Sequence, residues 1–190
     1  NISFEAQSNL NANLQLFDNG VLIADTTNST IIEKNIFVNS PGDHQLVFKA
    51  DDGNTILYDT VNYVVIPPIT LLDPPGGMLD GINYINDSTV TLKFFAPEKN
   101  TVNLIGDHNN WLVNTNSFMK LSTDSLYWWQ TISNLNPGQK YTYQYLVDGN
   151  IKIADPLSPL ILDPNNDGII DSFNYPNPIP YPASKTNGFV

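Results

Sequence analysis

The chain has 190 residues, of which 41% are hydrophobic and only 14% are charged, and its formal net charge is -11 at pH 7. This length suits one large domain or two small ones, and the hydrophobic fraction is sufficient for packed cores, which argues against an intrinsically disordered chain. Every basic residue is a lysine. Because binding to phosphates needs a basic face, nucleic acid is excluded as a partner, and anionic membrane surfaces are disfavoured for the same reason.

Cysteine is absent and histidine occurs only at His44 and His108. The sequence therefore excludes a disulfide framework, a thiolate metal site and a multi-histidine metal site. No run of 18 apolar residues is present, so we expect no membrane insertion. The chain starts at Asn1 without a methionine or a signal peptide, which suits a mature or trimmed product.

The first third reads as short strands separated by turn signals, of which Asp18-Asn19-Gly20 is the best hairpin signal. The candidate strands are Ile2–Gln7, Asn13–Phe17, Val21–Asp25, Ile31–Val38, Gln45–Ala50 and Ile56–Ile66. Short strands at this spacing predict an immunoglobulin-like β-sandwich over residues 1–67.

A proline- and glycine-rich stretch then interrupts the pattern, because Pro67-Pro68 and Pro74-Pro75-Gly76-Gly77 cannot continue a central strand or a helix. Strands resume at Thr89–Ala96 and recur as far as Ile151–Ala154, which predicts a second sandwich over residues 68–175. Four prolines after Tyr175 predict an extended connector over residues 176–190. The predicted fold class is all-β, with two immunoglobulin-like β-sandwich domains in tandem.

Three runs in the second block carry a family resemblance. Ile105–Trp111 resembles the G-x-F-N-x-W signature of carbohydrate-binding module family 48. Gly138–Gly149 resembles that module's G-x-x-Y-x-Y-x-V-D-G strand and turn, and Ala154-Asp155-Pro156 resembles its A-D-P continuation. Their order and spacing agree with the family, which is also called the isoamylase N-terminal type.

A closer resemblance is to the N-terminal region of Bacteroidetes-type α-amylases of glycoside hydrolase family 13. There an immunoglobulin-like domain precedes a segment like Gly81–Tyr84, the starch module follows, and a tail like Tyr181–Val190 comes last. The resemblance implies non-catalytic accessory domains of an enzyme that degrades starch or another α-glucan. It also implies a bacterial protein that is secreted, on the cell surface or in the periplasm.

In that family a (β/α)8 barrel of about 250 residues or more performs hydrolysis. This chain has no strand–helix alternation, so we expect no catalytic residue in it and a barrel downstream in the same polypeptide. The expected partners are this barrel and an α-glucan: starch, glycogen or a maltooligosaccharide. Two alternatives stay open: a free-standing cell-surface starch-binding protein and a structural spacer that binds nothing.

Trp111 is the first candidate for a sugar contact, because indole offers a flat apolar platform, and Asn109 and Asn110 beside it offer donors and acceptors. The alternative is that Trp111 plugs the end of the sandwich. Trp128 and Trp129 are adjacent and point to opposite faces of a strand. We expect Trp128 in the core and Trp129 as the more exposed candidate, with packing as its alternative role.

The sequence departs from the glycogen-binding members of the resembled family at two positions. The family's second tryptophan is replaced by Ile151, and its lysine by Gln144. Loss of one stacking platform predicts a degraded glycan site, which Lys152 partly restores.

Asp163–Asp171 matches the front of a D-x-N-x-D-G calcium loop, with Asp163, Asn165, Asp167 and Asp171 as the ligands. Against this reading, Asn174 stands where the loop needs a bidentate glutamate, and strand and proline flank it instead of helices. A turn rich in Asp and Asn is the alternative. No other cofactor is indicated.

Overall fold

The structure, a computed structural model, describes residues 2–37, 40–171, 173–176 and 178–190. Its regular structure in these ranges is β-strand with three short 3-10 helices, which confirms the all-β class. The chain divides into two compact units, Asn1–Pro68 and Ile69–Val190. Val38, which ends one predicted strand, and Asn177, in the predicted connector, lie outside the described residues. Within the described part of the chain, no helix is long and apolar enough to cross a membrane.

The first unit has four long strands where the sequence predicted six short ones. They are β1 (Ile2–Asp18), β2 (Val21–Ile36), β3 (Gly42–Asp51) and β4 (Ile56–Val65), paired antiparallel in the order β2-β1-β3-β4. The predicted strands Ile2–Gln7 and Asn13–Phe17 are the two halves of β1. Backbone pairing continues through the polar residues between them, because ladder hydrogen bonds do not depend on apolar side chains.

The core of the first unit is formed by side chains of this single sheet. The register between β1 and β2 shifts between Gln7 and Ala12 and again before Leu14, and such bulges bend a strand. One cluster therefore joins residues from distant parts of the sheet: Ala12, Leu14, Leu16, Ile32, Ile36, Leu46 and Ala50. For the described residues of this unit the structure gives one four-stranded sheet, where the sequence predicted a two-sheet sandwich.

The second unit has two antiparallel sheets. Its strands are β5 (Gly81–Asn86), β6 (Thr89–Phe95), β7 (Val102–Gly106), β8 (Lys120–Leu121), β9 (Tyr127–Ile132), β10 (Tyr143–Val147) and β11 (Ile151–Ile153). The sheets have the orders β5-β6-β9-β8 and β11-β10-β7. The 3-10 helices are Asp107–Asn109, Thr115–Ser117 and Asp167–Ile169.

Alternate residues of these strands face the core of the second unit. Leu104 and Tyr145 point between the sheets together with Trp128, whose indole nitrogen donates to the carbonyl of Ala96 at 3.0 Å. The neighbouring residues of β7 and β10, among them Leu146, point to the opposite face, here called the outer face. Both faces of the three-stranded sheet are therefore covered by apolar packing.

Candidate functional site

The turn after β7 places the first group of predicted sugar-binding residues. Asn109 closes this turn, since its side chain accepts from the amide of Gly106 and donates to the carbonyl of Leu104. Gly106 is required there, because a Cβ on it would lie 2.4 Å from the carbonyl oxygen of Thr142. Asn110 follows in the left-handed region and is exposed. The side chain of Asn109 is thus engaged in the turn, and that of Asn110 faces solvent.

Asp107 connects this turn to the start of β10. Its carboxylate accepts from the indole nitrogen of Trp111 at 3.0 Å and from the amide and hydroxyl of Thr142 at 2.7 and 2.6 Å. Burial alone would raise the pKa of Asp107, but the bonds from Thr142 and Trp111 and the nearby His108 outweigh it and lower the pKa. Asp107 is therefore ionised and holds the turn to β10 through its hydrogen bonds. The sequence did not predict this role.

Trp111 is packed in an apolar cluster on the outer face of the three-stranded sheet. The cluster contains Ile105, Leu146 and Val190, and only 9% of Trp111 is exposed. The platform role of Trp111 stays a prediction, and in this structure the ring is covered by the chain itself. The geometry is that of the alternative reading, in which the indole fills a gap at the edge of the fold.

The C-terminal residues form this cover. Val190 and Leu162 exchange two backbone hydrogen bonds of 2.7 and 3.1 Å. Gln144 is completely buried, donates to the carbonyls of Asn187 and Phe189, and accepts from the hydroxyl of Thr186. The predicted connector thus lies against the second unit from Thr186 onward, although the structure gives no strand or helix for the described residues after 169.

Lys152 shares the outer face with this cluster. It pairs with Leu146 in the ladder between β10 and β11, so that both side chains point the same way. Lys152 and Ile151 are both exposed. The structure therefore places Lys152 on the same side of the sheet as Trp111 and Gln144, and its sugar-binding role stays a prediction.

The expected exposure of Trp129 is wrong, because only 4% of this residue is exposed. Its indole nitrogen donates to the carbonyl of Leu72 at 2.7 Å, and the ammonium of Lys120 lies 4.4 Å from the ring centroid. Leu72 also donates its amide to the carbonyl of Leu121. The segment before β5 therefore runs along β8 and covers the ring, and Trp129 has a packing role here.

The predicted calcium ligands stabilise local turns instead of converging. Asp163 accepts from the amide of Asn165, and Asp171 accepts from the amide of Phe173. Asp167 accepts from the amide of Asp163. Across the described ranges, no group of three or more His, Cys, Asp or Glu side chains is placed to hold a metal ion. This geometry is that of an Asp- and Asn-rich turn.

Sequence reasoning also missed the polar centre beneath β10. Asp155 is buried and accepts from the hydroxyls of Tyr143 and Tyr145 at 2.7 and 3.1 Å and from the amide of Leu157. Burial and the charge of Asp155 raise the pKa of both tyrosines. The sequence signal for this centre is the Ala154-Asp155-Pro156 run, which resembles the family's A-D-P continuation.

Comparison with known protein families gives a match in the second unit. Residues 81–165 match the family described as carbohydrate-binding module 48 (isoamylase N-terminal domain). No curated protein matches the chain. The matched range begins at β5 and contains both sheets of the second unit, the turn that holds Asp107, and the buried Asp155. Residues 81–165 of this chain are therefore similar to a carbohydrate-binding module 48 domain.

Proposed function

We propose that the second unit binds α-glucan weakly, as a non-catalytic accessory module of a starch-degrading α-amylase of glycoside hydrolase family 13. In this proposal the ligand is starch, glycogen or a maltooligosaccharide, and a catalytic barrel follows in the same polypeptide. The protein belongs to a Bacteroidetes-type bacterium and works outside the cytoplasm, on the cell surface, in the periplasm or in the medium.

The match of residues 81–165 carries this proposal. Module 48 is a non-catalytic carbohydrate-binding domain that is commonly found in amylolytic enzymes. The two sheets, the A-D-P run and the turn after β7 are all present in the matched range. The acidic net charge of -11 adds to the argument, because a neutral polysaccharide is a partner that such a surface does not repel.

A structural role for the same unit is the second candidate, and the cover over Trp111 favours it. With Gln144 buried and Val190 packed on the outer face, this face stabilises the unit instead of offering an open platform. A spacer that supports an amylase barrel needs no affinity for glucan. A free-standing surface starch-binding protein differs from both in having no barrel in its gene.

Titration calorimetry with maltoheptaose separates these functions. We expect weak binding with a dissociation constant on the order of millimolar, about 4 kcal/mol, because few stacking and hydrogen-bonding groups are available. Cellohexaose is the control, since it presents the same sugar with β-linkages. Equal affinity for both oligosaccharides contradicts α-glucan specificity, and absence of binding to maltoheptaose, starch and glycogen leaves the structural role.

A further inference from the structure

A cavity of about 720 Å³ opens in the second unit beside the edge strand β5. Its walls come from β5 and β6, the end of β9, the residues before β10, and the loop that follows Asp155. This volume lies in the range of small-molecule sites, which is about 300–1,000 Å³. It differs from the cluster around Trp111 that the C-terminal residues cover, although Leu162 and Val190 border both.

The cavity combines an apolar floor with three tyrosines. Ile82, Leu92 and Ile132 form part of the floor, and Tyr84, Tyr141 and Tyr143 stand in the walls. Two of the rings are held in place before any ligand arrives. The hydroxyl of Tyr143 donates to Asp155, and that of Tyr141 accepts from the amide of Asn136 at 2.9 Å. Fixed side chains lower the ordering cost of binding.

Tyr84 is the aromatic side chain at the mouth of this cavity. It lies on β5 and is 76% exposed, while the other two tyrosines are partly buried. An exposed aromatic ring above an apolar floor is a surface on which the C–H face of a sugar ring stacks. Tyr84 can therefore supply the open platform that Trp111 does not.

The polar groups that line the cavity include three neutral amides. Asn86, Asn136 and Gln139 line the cavity, and their side chains offer both donors and acceptors. The charged groups are of both signs: Lys140, Asp87 and the buried Asp155. A rim of this composition fits a neutral ligand with many hydroxyl groups better than an anion or a cation.

We propose that this cavity is a saccharide-binding site, in which one neutral sugar unit stacks on Tyr84 between Tyr141 and Tyr143 and is hydrogen-bonded by the amides at the rim. This proposal rests on the proposed function, because it takes the sugar to be a unit of an α-glucan. It places the ligand at the open side of the sandwich next to β5, away from Gln144 and Lys152 on the outer face.

The test compares maltoheptaose binding by calorimetry for the full chain, Tyr84→Ala and Tyr175→Ala. Tyr175 is the matched control, because it is also exposed, at 67%, and does not line the cavity. We expect about a tenfold loss of affinity for Tyr84→Ala and none for Tyr175→Ala. Unfolding followed by tryptophan fluorescence checks that both variants keep the fold of the second unit.

Amide chemical shifts measured in the same titration provide an independent readout. We expect the largest changes at Tyr84, Tyr141 and Asn136, and small changes at Ile105 and Leu146. Maltoheptaose binding that is unaffected by Tyr84→Ala, with shifts concentrated at Ile105 and Leu146, overturns this proposal and leaves the proposed function standing. Absence of any α-glucan binding by the unaltered chain overturns both.

Discussion

The side-chain oxygen of Gln144, in β10, accepts a hydrogen bond from the hydroxyl of Thr186, which lies 42 residues further along the chain. Gln144 is completely buried and Thr186 is 8% exposed, so both polar groups depend on each other and on the carbonyls of Asn187 and Phe189. A side chain that would otherwise be an unsatisfied polar group on the sheet instead fixes the C-terminal residues to it.

Removal of this hydroxyl is expected to destabilise the second unit. Thr186→Ala leaves the buried side-chain oxygen of Gln144 without its donor, which costs about 1–3 kcal/mol in the free energy of unfolding. All three tryptophans lie in the second unit, so tryptophan fluorescence during urea unfolding measures this unit alone. Thr70→Ala, at an exposed position of the same unit, is the control. Equal effects of the two changes would contradict the role of Thr186.

Asp107 is expected to make the stability of the second unit depend on acidic pH. Because its pKa is lower in the folded than in the unfolded state, its contribution is fully present above the ordinary value of 3.8 and is lost as the pH falls through the folded-state pKa. Asp107→Asn should cost about 1 kcal/mol at pH 7, reduced by solvent screening of this exposed residue. The difference in the free energy of unfolding between this variant and the unaltered chain should shrink on acidification. Asp87→Asn, the control, should leave the free energy of unfolding at pH 7 unchanged.

Tyr143 and Tyr145 are expected to limit stability at alkaline pH. Their pKa values are raised by burial and then by the charge of Asp155, so their contribution is present below the ordinary value of 10.0 and is lost as the pH rises above it. We expect both to ionise only as the unit unfolds, measured by tyrosinate absorbance together with near-ultraviolet circular dichroism. With Tyr145→Phe, the free energy of unfolding should fall less steeply as the pH rises above 10.0. Ionisation of all nine tyrosines in a chain that keeps its tertiary signal would contradict this expectation.

Calcium is expected to leave the melting temperature unchanged. The carboxylates of Asp163 and Asp171 accept hydrogen bonds from amides of their own turns, and these bonds compete with a bound cation. A ligand that binds only the folded state would raise the melting temperature by mass action. A rise in the melting temperature with millimolar calcium, smaller with magnesium and absent in Asp163→Asn, would support a calcium-binding loop instead.

Local patterns predicted the strands of the second unit from β6 onward but missed β5. They succeed where they do because alternation on a strand is set by its own geometry. Trp128 in the core and Trp129 on the opposite face follow from adjacency alone. The burial of Trp129 could not be predicted in this way, because its ring is covered by Leu72 and the segment before β5. The burial of Trp111 could not be predicted either, because Val190, which covers it, comes from the far end of the unit.

The strand lengths of the first unit were missed for a different physical reason. The polar stretch around Ser8 and Asn9 looked like a break, but β1 passes through it with bulges. A sequence pattern indicates a strand through its buried apolar side chains. Where a strand bends, few of its side chains are buried, so the backbone pairing there leaves no such pattern. The role of Asp155 was missed because two tyrosine hydroxyls reach it only once β10 and the following loop are folded.

The contacts of Val190 have a consequence for synthesis of the chain on the ribosome. The strands β5 to β11 are complete once Ile153 has emerged, but the cover that Leu162, Tyr181 and Val190 give to Ile105, Trp111 and Leu146 comes later. During this interval the nascent module exposes an apolar patch next to a formed sheet, which is the kind of surface that attracts chaperones or other nascent chains. Packing of the last residues of the unit is therefore a late folding step that buries this apolar patch.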